Sequence, residues 1–235
     1  NLPLEPHCRL RLRGGSCLFR IYEVRYMSKQ LRSKLLRSFR EGVKEFQLIT
    51  PSDVILIGLS GGKDSLALLD LMGDMQRRSN NGFTLHALHV RMTGVDYQSD
   101  TTYLRSQCER NGITFHERMV SFEADRNERR TPCFLCSWNR RKTLFEVAQE
   151  LGCNKIALGH HKSDVIETTV MGMLYGGQIQ GMLPRIPSTN FEGMELIRPL
   201  YRVHEDSIIA WARYNGLEFL GCACAMTEKA AVDES

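Results

Sequence analysis

The hexapeptide Ser60-Gly61-Gly62-Lys63-Asp64-Ser65 gathers the residue types that handle phosphate. Gly61 and Gly62 remove side chains where the backbone must turn sharply and come close to a ligand. Lys63 supplies a cation, Asp64 a carboxylate suited to magnesium, and Ser60 and Ser65 hydroxyls that can bond phosphate oxygens. This chemistry needs a helix start behind it, because the first amide N–H groups of a helix have no partner and its dipole favours negative charge. The spacing is not the Walker pattern: counted on from Gly58, Lys63 falls where the second glycine should stand. The plainer alternative is an ordinary βα turn.

Two further groups carry chemistry. Cys133-Phe-Leu-Cys136 precedes a helical pattern, where the positive dipole end favours thiolates. Alone, the pair reads equally as a redox couple, a zinc half-site or an iron–sulfur half-site. Cys222-Ala-Cys224 is the other close pair of cysteines. His160-His161-Lys-Ser-Asp164 follows the apolar run Lys155–Gly159, and His160, His161 and Asp164 are candidates for holding magnesium or nucleotide phosphates.

The elements that must position these groups follow from periodicity. Val54–Leu59 is a continuous apolar run, as expected of a strand buried on both faces, and Leu66, Leu69, Leu71 and Met72 then take up a helical period. Further strands are expected over Thr84–Val90, Ile113–Val120, Lys155–Gly159 and Met194–Ile197. Helices are expected over Ser99–Asn111, Ser137–Leu151, Val165–Tyr175 and Glu205–Asn215. This alternation predicts an α/β fold: an open parallel sheet, helices on both faces, right-handed crossovers, and ligands at the C-terminal strand edge. His86 and His89 read as strand residues without a chemical role. Phe122–Thr131 reads as a charged loop over the site and Pro184–Phe191 as an irregular loop.

Ahead of this core, Ser28–Leu48 reads as a helix ended by Pro51. One face carries Leu31, Leu35, Leu36, Phe39 and Val43, and the rest carries Lys29, Arg32, Lys34, Arg37 and Arg40. That basic face is either solvated or a contact surface for an RNA backbone. The expected division is residues 1–26 as an extension outside the native protein, with Met27 as the natural start, 27–50 as the basic helix, 51–225 as the core domain and 226–235 as a flexible tail. The 235 residues bury one full core. The net charge of +4 is compatible with a nucleic-acid partner without requiring one. No run is apolar enough to span a membrane, no leader pattern opens the chain, and eight cysteines in a chain of this size suggest metal or redox use. The expectation is a cytoplasmic protein with no membrane partner.

Ser60–Ser65 resembles the PP-loop of the ATP pyrophosphatase family, whose members split ATP between the α and β phosphates. The later motifs narrow the resemblance. Cys133-x-x-Cys136, Ala157-Leu-Gly-His-His-x-x-Asp164, Met173-Leu-Tyr-Gly-Gly177 with Gly181-Met182, and Arg198-Pro199-Leu200 occur in this order. Together they resemble the tRNA 2-thiocytidine synthetase family of PP-loop proteins, over roughly Met27–Cys224.

The resemblance implies an ATP-dependent tRNA sulfurtransferase. It would adenylate the C2 oxygen of cytidine 32 in the anticodon loop and replace it with sulfur, releasing AMP and pyrophosphate. The implied cofactors are ATP, Mg2+ bound by Asp64, and a [4Fe–4S] cluster bound by Cys133, Cys136 and Cys222 with one iron left open. Cys224 stands one residue closer to Cys222 than the family's spacing, so either is a candidate third ligand. The implied partners are tRNA and a sulfur donor such as a cysteine desulfurase; a homodimer is left open. Arg140, Arg141 and Lys142 are candidates for RNA backbone contacts. Rival readings are thiolation of a tRNA uridine by a related PP-loop enzyme and a non-catalytic metal-binding adaptor on a nucleotide fold. Lysidine synthesis would need no cysteines, and intact Lys63 and Asp64 speak against the adaptor.

Overall fold

The computed structural model describes residues 17–79, 82–93, 101–121, 132–177, 179 and 181–217, with 17–29, 132 and 133 placed by backbone alone. Helix α1 spans Cys17–Glu45. It ends before Pro51 because Gln47 takes a left-handed φ of 49°. Gln47 N–H then bonds the Lys44 carbonyl and Leu48 N–H the Val43 carbonyl, a Schellman close that buries Leu48 completely. Leu35, Phe39 and Val43 carry the apolar face into the core, as their spacing predicts. On the basic face Arg37 pairs with Glu41, and Arg40 lies 3.9 Å from Asp74.

The sheet is built from β1 (Val54–Gly58), β2 (Thr84–Met92), β3 (Thr114–Val120), β4 (Lys155–Ala157), β5 (Arg185–Pro187) and β6 (Glu195–Ile197). Its order is β3-β2-β1-β4-β6-β5. Every pairing is parallel except β5 with β6. The expected all-parallel sheet is therefore mixed at one edge. There, the loop expected over Pro184–Phe191 contains β5, whose three residues are too few to show a period and whose Arg185 bonds Glu195 across the pair.

Ile55, Leu56 and Ile57 are all completely buried, so β1 is covered on both faces. Ile55 and Ile57 join a core with α1, α2 (Lys63–Arg78), α3 (Thr101–Arg110) and α6 (Glu205–Tyr214). Leu56, one residue out of phase, joins the opposite core against Val147 and Ala148 of α4 (Pro132–Glu150). The chain winds outward from β1 through β2 to β3, then returns to β4 on the other flank of β1. That reversal opens a crevice beyond the carboxyl ends of β1 and β4. Ser60–Ser65 spans the loop after β1 and the first turn of α2, and His160–Asp164 spans the loop after β4 and the first turn of α5 (Lys162–Gly176).

Candidate active site

The glycine loop is shaped from within. Gly61 takes φ +88°, which a side chain would resist. The buried Ser65 hydroxyl accepts from Gly61 N–H at 3.1 Å and donates to the Gly62 carbonyl at 2.9 Å. Ser60 Oγ accepts from Gly62 N–H at 3.3 Å and lies 3.1 Å from Ser65 Oγ. The Ser65 hydroxyl is thus engaged inside the loop. Helix α2 starts on Gly62, which offers no side-chain cap, so its first-turn amides are left for an external acceptor.

Lys63, Asp64, His161 and Glu205 converge there. Lys63 Nζ lies 3.1 Å from Asp64 Oδ2 and 2.9 Å from Glu205 Oε1. Burial works against the Lys63 ammonium, but its bonds to Glu205 and Asp64 prevail and raise its pKa above the ordinary value. The same bond to Lys63 holds Glu205 below the usual carboxylate range. The buried His161 caps α5: its Nδ1 accepts from Asp164 N–H at 3.4 Å, while Asp164 Oδ2 accepts from His161 N–H at 2.7 Å. His161 Nε2 lies 3.5 Å from Asp64 Oδ1 and 3.9 Å from Glu205 Oε1.

Asp64 Oδ1 is buried and has no hydrogen-bond partner. An orphaned carboxylate oxygen beside a second carboxylate fits a divalent cation. Among the described residues no three His, Cys, Asp or Glu side chains form a ready-made metal site.

The structure brings Ser60 to Ser65, His161 and Asp164 into one crevice, with Asp164 acting through the cap. His160 is instead within electrostatic reach of Arg198 and Arg141, and burial, ahead of those two cations, lowers its pKa. Glu205 was not singled out by sequence reasoning. An acidic residue in a first helical turn is ordinary, so no sequence signal marked it.

Cys133 and Cys136 lie in the opening turns of α4, three positions apart and hence on neighbouring ground, with Pro132 as the first helical residue. Cys136 is half-buried and not in a disulfide. A Cys-x-x-Cys spacing at a helix start is half of a metal site; Cys222 and Cys224 lie outside the described residues. Burial pushes the thiols of Cys108 and Cys153 up to about 12 and about 11, which makes them packing residues and poor ligands.

A family model described as a PP-loop domain matches residues 27–224. The chain belongs to the PP-loop domain family. Within it, the chain is 34% identical over 199 residues to the tRNA-cytidine(32) 2-sulfurtransferase of Delftia acidovorans, covering 82% of this chain and 62% of the relative. It is 35% identical over 197 residues to the protein of that name from Neisseria meningitidis, covering 83% and 61%. The PP-loop chain thus spans about three-fifths of the length of the curated relatives it matches. Among solved structures it resembles the U34-tRNA thiolase NcsA from Methanococcus maripaludis with its [4Fe-4S] cluster. The TM-score is 0.67 at 25% identity, covering 82% of this chain and 65% of that one. No helix among the described residues is long and apolar enough to cross a membrane.

Proposed function

We propose that this PP-loop chain is the nucleotide-handling core of a cytoplasmic, ATP-dependent tRNA sulfurtransferase acting on cytidine 32. The observation that carries the reading is the meeting of Lys63, the uncapped first turn of α2 and the orphaned Asp64 oxygen at the crevice between β1 and β4. That arrangement suits a triphosphate cleaved with loss of pyrophosphate. Lys63 and the α2 amides hold the pyrophosphate end of ATP and stabilise the charge that builds as it leaves. The α-phosphorus is transferred to the C2 oxygen of the base, which turns a carbonyl oxygen into a leaving group. Sulfur then takes its place at C2 and AMP departs.

Asp64, with Glu205 beside it, would hold magnesium, which neutralises charge on the phosphates. Cys133, Cys136 and Cys222 would hold a [4Fe–4S] cluster, whose unligated iron offers a place for sulfide supplied by a donor such as a cysteine desulfurase. His161 Nε2 stands 3.5 Å from Asp64 Oδ1, and Asp164 fixes the His161 ring. An extruded base in a single-stranded loop is the usual target of such chemistry.

One observation favours a second reading, thiolation of a uridine: the structural relative at TM-score 0.67 is named for U34. A single experiment separates the two. The chain is purified without oxygen and incubated with ATP, sulfide and tRNA, then the nucleosides are digested and identified by mass. Thiocytidine together with pyrophosphate supports the proposal; thiouridine supports the second reading. Neither thiolated nucleoside would overturn both. Iron and sulfide content beside a Cys133→Ala variant tests the cluster: about four irons, lost in the variant, are expected.

A further inference from the structure

Strands β4 and β6 are parallel neighbours, with Ala157 opposite Ile197, and both release the chain at the edge that carries the crevice. Arg198 is the first residue after β6, and His160 follows β4 by three positions. Leu158 N–H bonds the Ile197 carbonyl, so the two strand ends remain tied as they emerge.

Arg198 is only 8% exposed. Its Nη1 donates to the Leu183 carbonyl, while its Nε is buried with no hydrogen-bond partner. Among the described residues no ion pair to a carboxylate involves Arg198 or Arg141. His160 Nδ1 is likewise buried without a partner. Arg198 and Arg141 both act electrostatically on His160, and Arg141 acts on Arg198, so the groups share one locality. The acid that offsets them at His160 is Asp164, whose carboxylate already serves the His161 amide. A buried guanidinium within electrostatic reach of a second, with an unmet donor and no ion pair among the described residues, is costly unless an anion completes it.

We propose that Arg198, His160 and Arg141 form an oxyanion subsite that binds a phosphate group, distinct from the glycine loop. Gly159 touches the first turn of α2, so the subsite adjoins the loop without sharing its donors. Two sources present this chemistry at the crevice: free pyrophosphate and the backbone phosphates of an RNA strand. The subsite stands independently of the sulfur-transfer reading, since its binding requires no thiolation.

The test titrates the full chain, in a Lys63→Met background that weakens the glycine loop, with inorganic pyrophosphate and separately with a single-stranded 7-nucleotide RNA, a probe length of roughly one binding module. Arg198→Met and His160→Ala are compared with the background, folding being checked by thermal melting. Arg141→Met, at an exposed position, supplies the result if the buried variants fail to fold. Loss of a charge-assisted bond is expected to weaken binding about tenfold or more. Weaker pyrophosphate binding with RNA unchanged assigns the subsite to pyrophosphate, and the reverse assigns it to the RNA backbone. Unchanged affinity for both probes in the folded variants overturns the proposal.

Discussion

Lys155, the first residue of β4, places its ammonium 2.7 Å from the carboxylate of Asp53, the residue before β1, and both side chains are about 5% exposed or less. Lys155 also donates to the Leu48 carbonyl at 3.0 Å, while Asp53 accepts from Thr50 N–H and from Asn154 Nδ2. Burial opposes the charged form of Asp53, but the bond from Lys155 and its other donors prevail and hold its pKa below the ordinary 3.8. The pair fastens the amino ends of the two strands whose carboxyl ends carry the candidate site.

Lys155→Met therefore leaves a buried carboxylate unpaired and is expected to cost about 3–5 kcal/mol in urea unfolding. The double variant Asp53→Asn/Lys155→Met should recover part of that loss, since no buried charge is stranded. A double variant no more stable than the single would refute the account.

Lys63 is shared by two carboxylates before any nucleotide arrives. Lys63→Met should lower pyrophosphate release by about 100-fold or more, the scale of losing a main electrostatic contact to a leaving group. Glu205→Gln removes a negative charge beside the phosphate site. It should tighten ATP binding in the presence of a chelator by a few-fold, about 1 kcal/mol at near-surface dielectric. Weaker binding would show instead that Glu205 is needed chiefly to position Lys63.

A Cβ at Gly159 would stand 3.1 Å from the Asp64 carbonyl carbon and the Ser65 nitrogen, both backbone atoms that cannot swing away. Gly159→Ala is expected to shift the glycine loop and lower kcat/KM for pyrophosphate release by roughly tenfold or more. The melting temperature should change little. A large fall in melting temperature with unaltered kinetics would contradict this.

His86 Nδ1 lies 3.1 Å from His116 Nε2 across β2 and β3. Burial lowers both pKa values below the ordinary 6.5, with repulsion from His86 and Arg118 adding to the effect at His116. The folded chain thus binds fewer protons than the unfolded chain just below pH 6.5. Stability should fall as pH drops from 6.5 towards the folded-state pKa values and return as pH rises. His89 and His160 are shifted the same way and add to the slope. His86→Gln/His116→Gln should flatten the urea-midpoint profile between pH 7 and 5 relative to the parent, histidine being the side chain that ordinarily titrates there. An unchanged slope would exclude the pair as its source.

The strand, loop and helix from Val54 to Met72 were legible because each level of the chain agrees: a buried run, two glycines, then a helical period. The crevice followed from the alternation of elements. The partners across it did not. Glu205 meets Lys63 from 142 positions away in sequence, a pairing that depends on where α6 packs against α1 and α2. Gln47 closes α1 in a conformation usually given to glycine, so its side chain carries no stop signal and Pro51 is the first breaker in the sequence. The edge strand β5 exists through its ladder to β6 and not through any pattern of its own. The proposed anion subsite has no sequence signal because Arg198 reads as one letter of a motif; its burial and its lack of an ion pair among the described residues appear only in the fold.

Helix α5 buries none of its residues, although Val170, Met171 and Leu174 are apolar. Its ends hold it: the His161–Asp164 box at one, left-handed Gly177 at the other. A helix secured by its termini and not by the core melts and re-forms on its own clock, without dragging the sheet with it. The same imidazole that closes its amino end also faces Asp64. Fraying of α5 would therefore loosen the His161 ring, and with it the side of the crevice that faces Asp64.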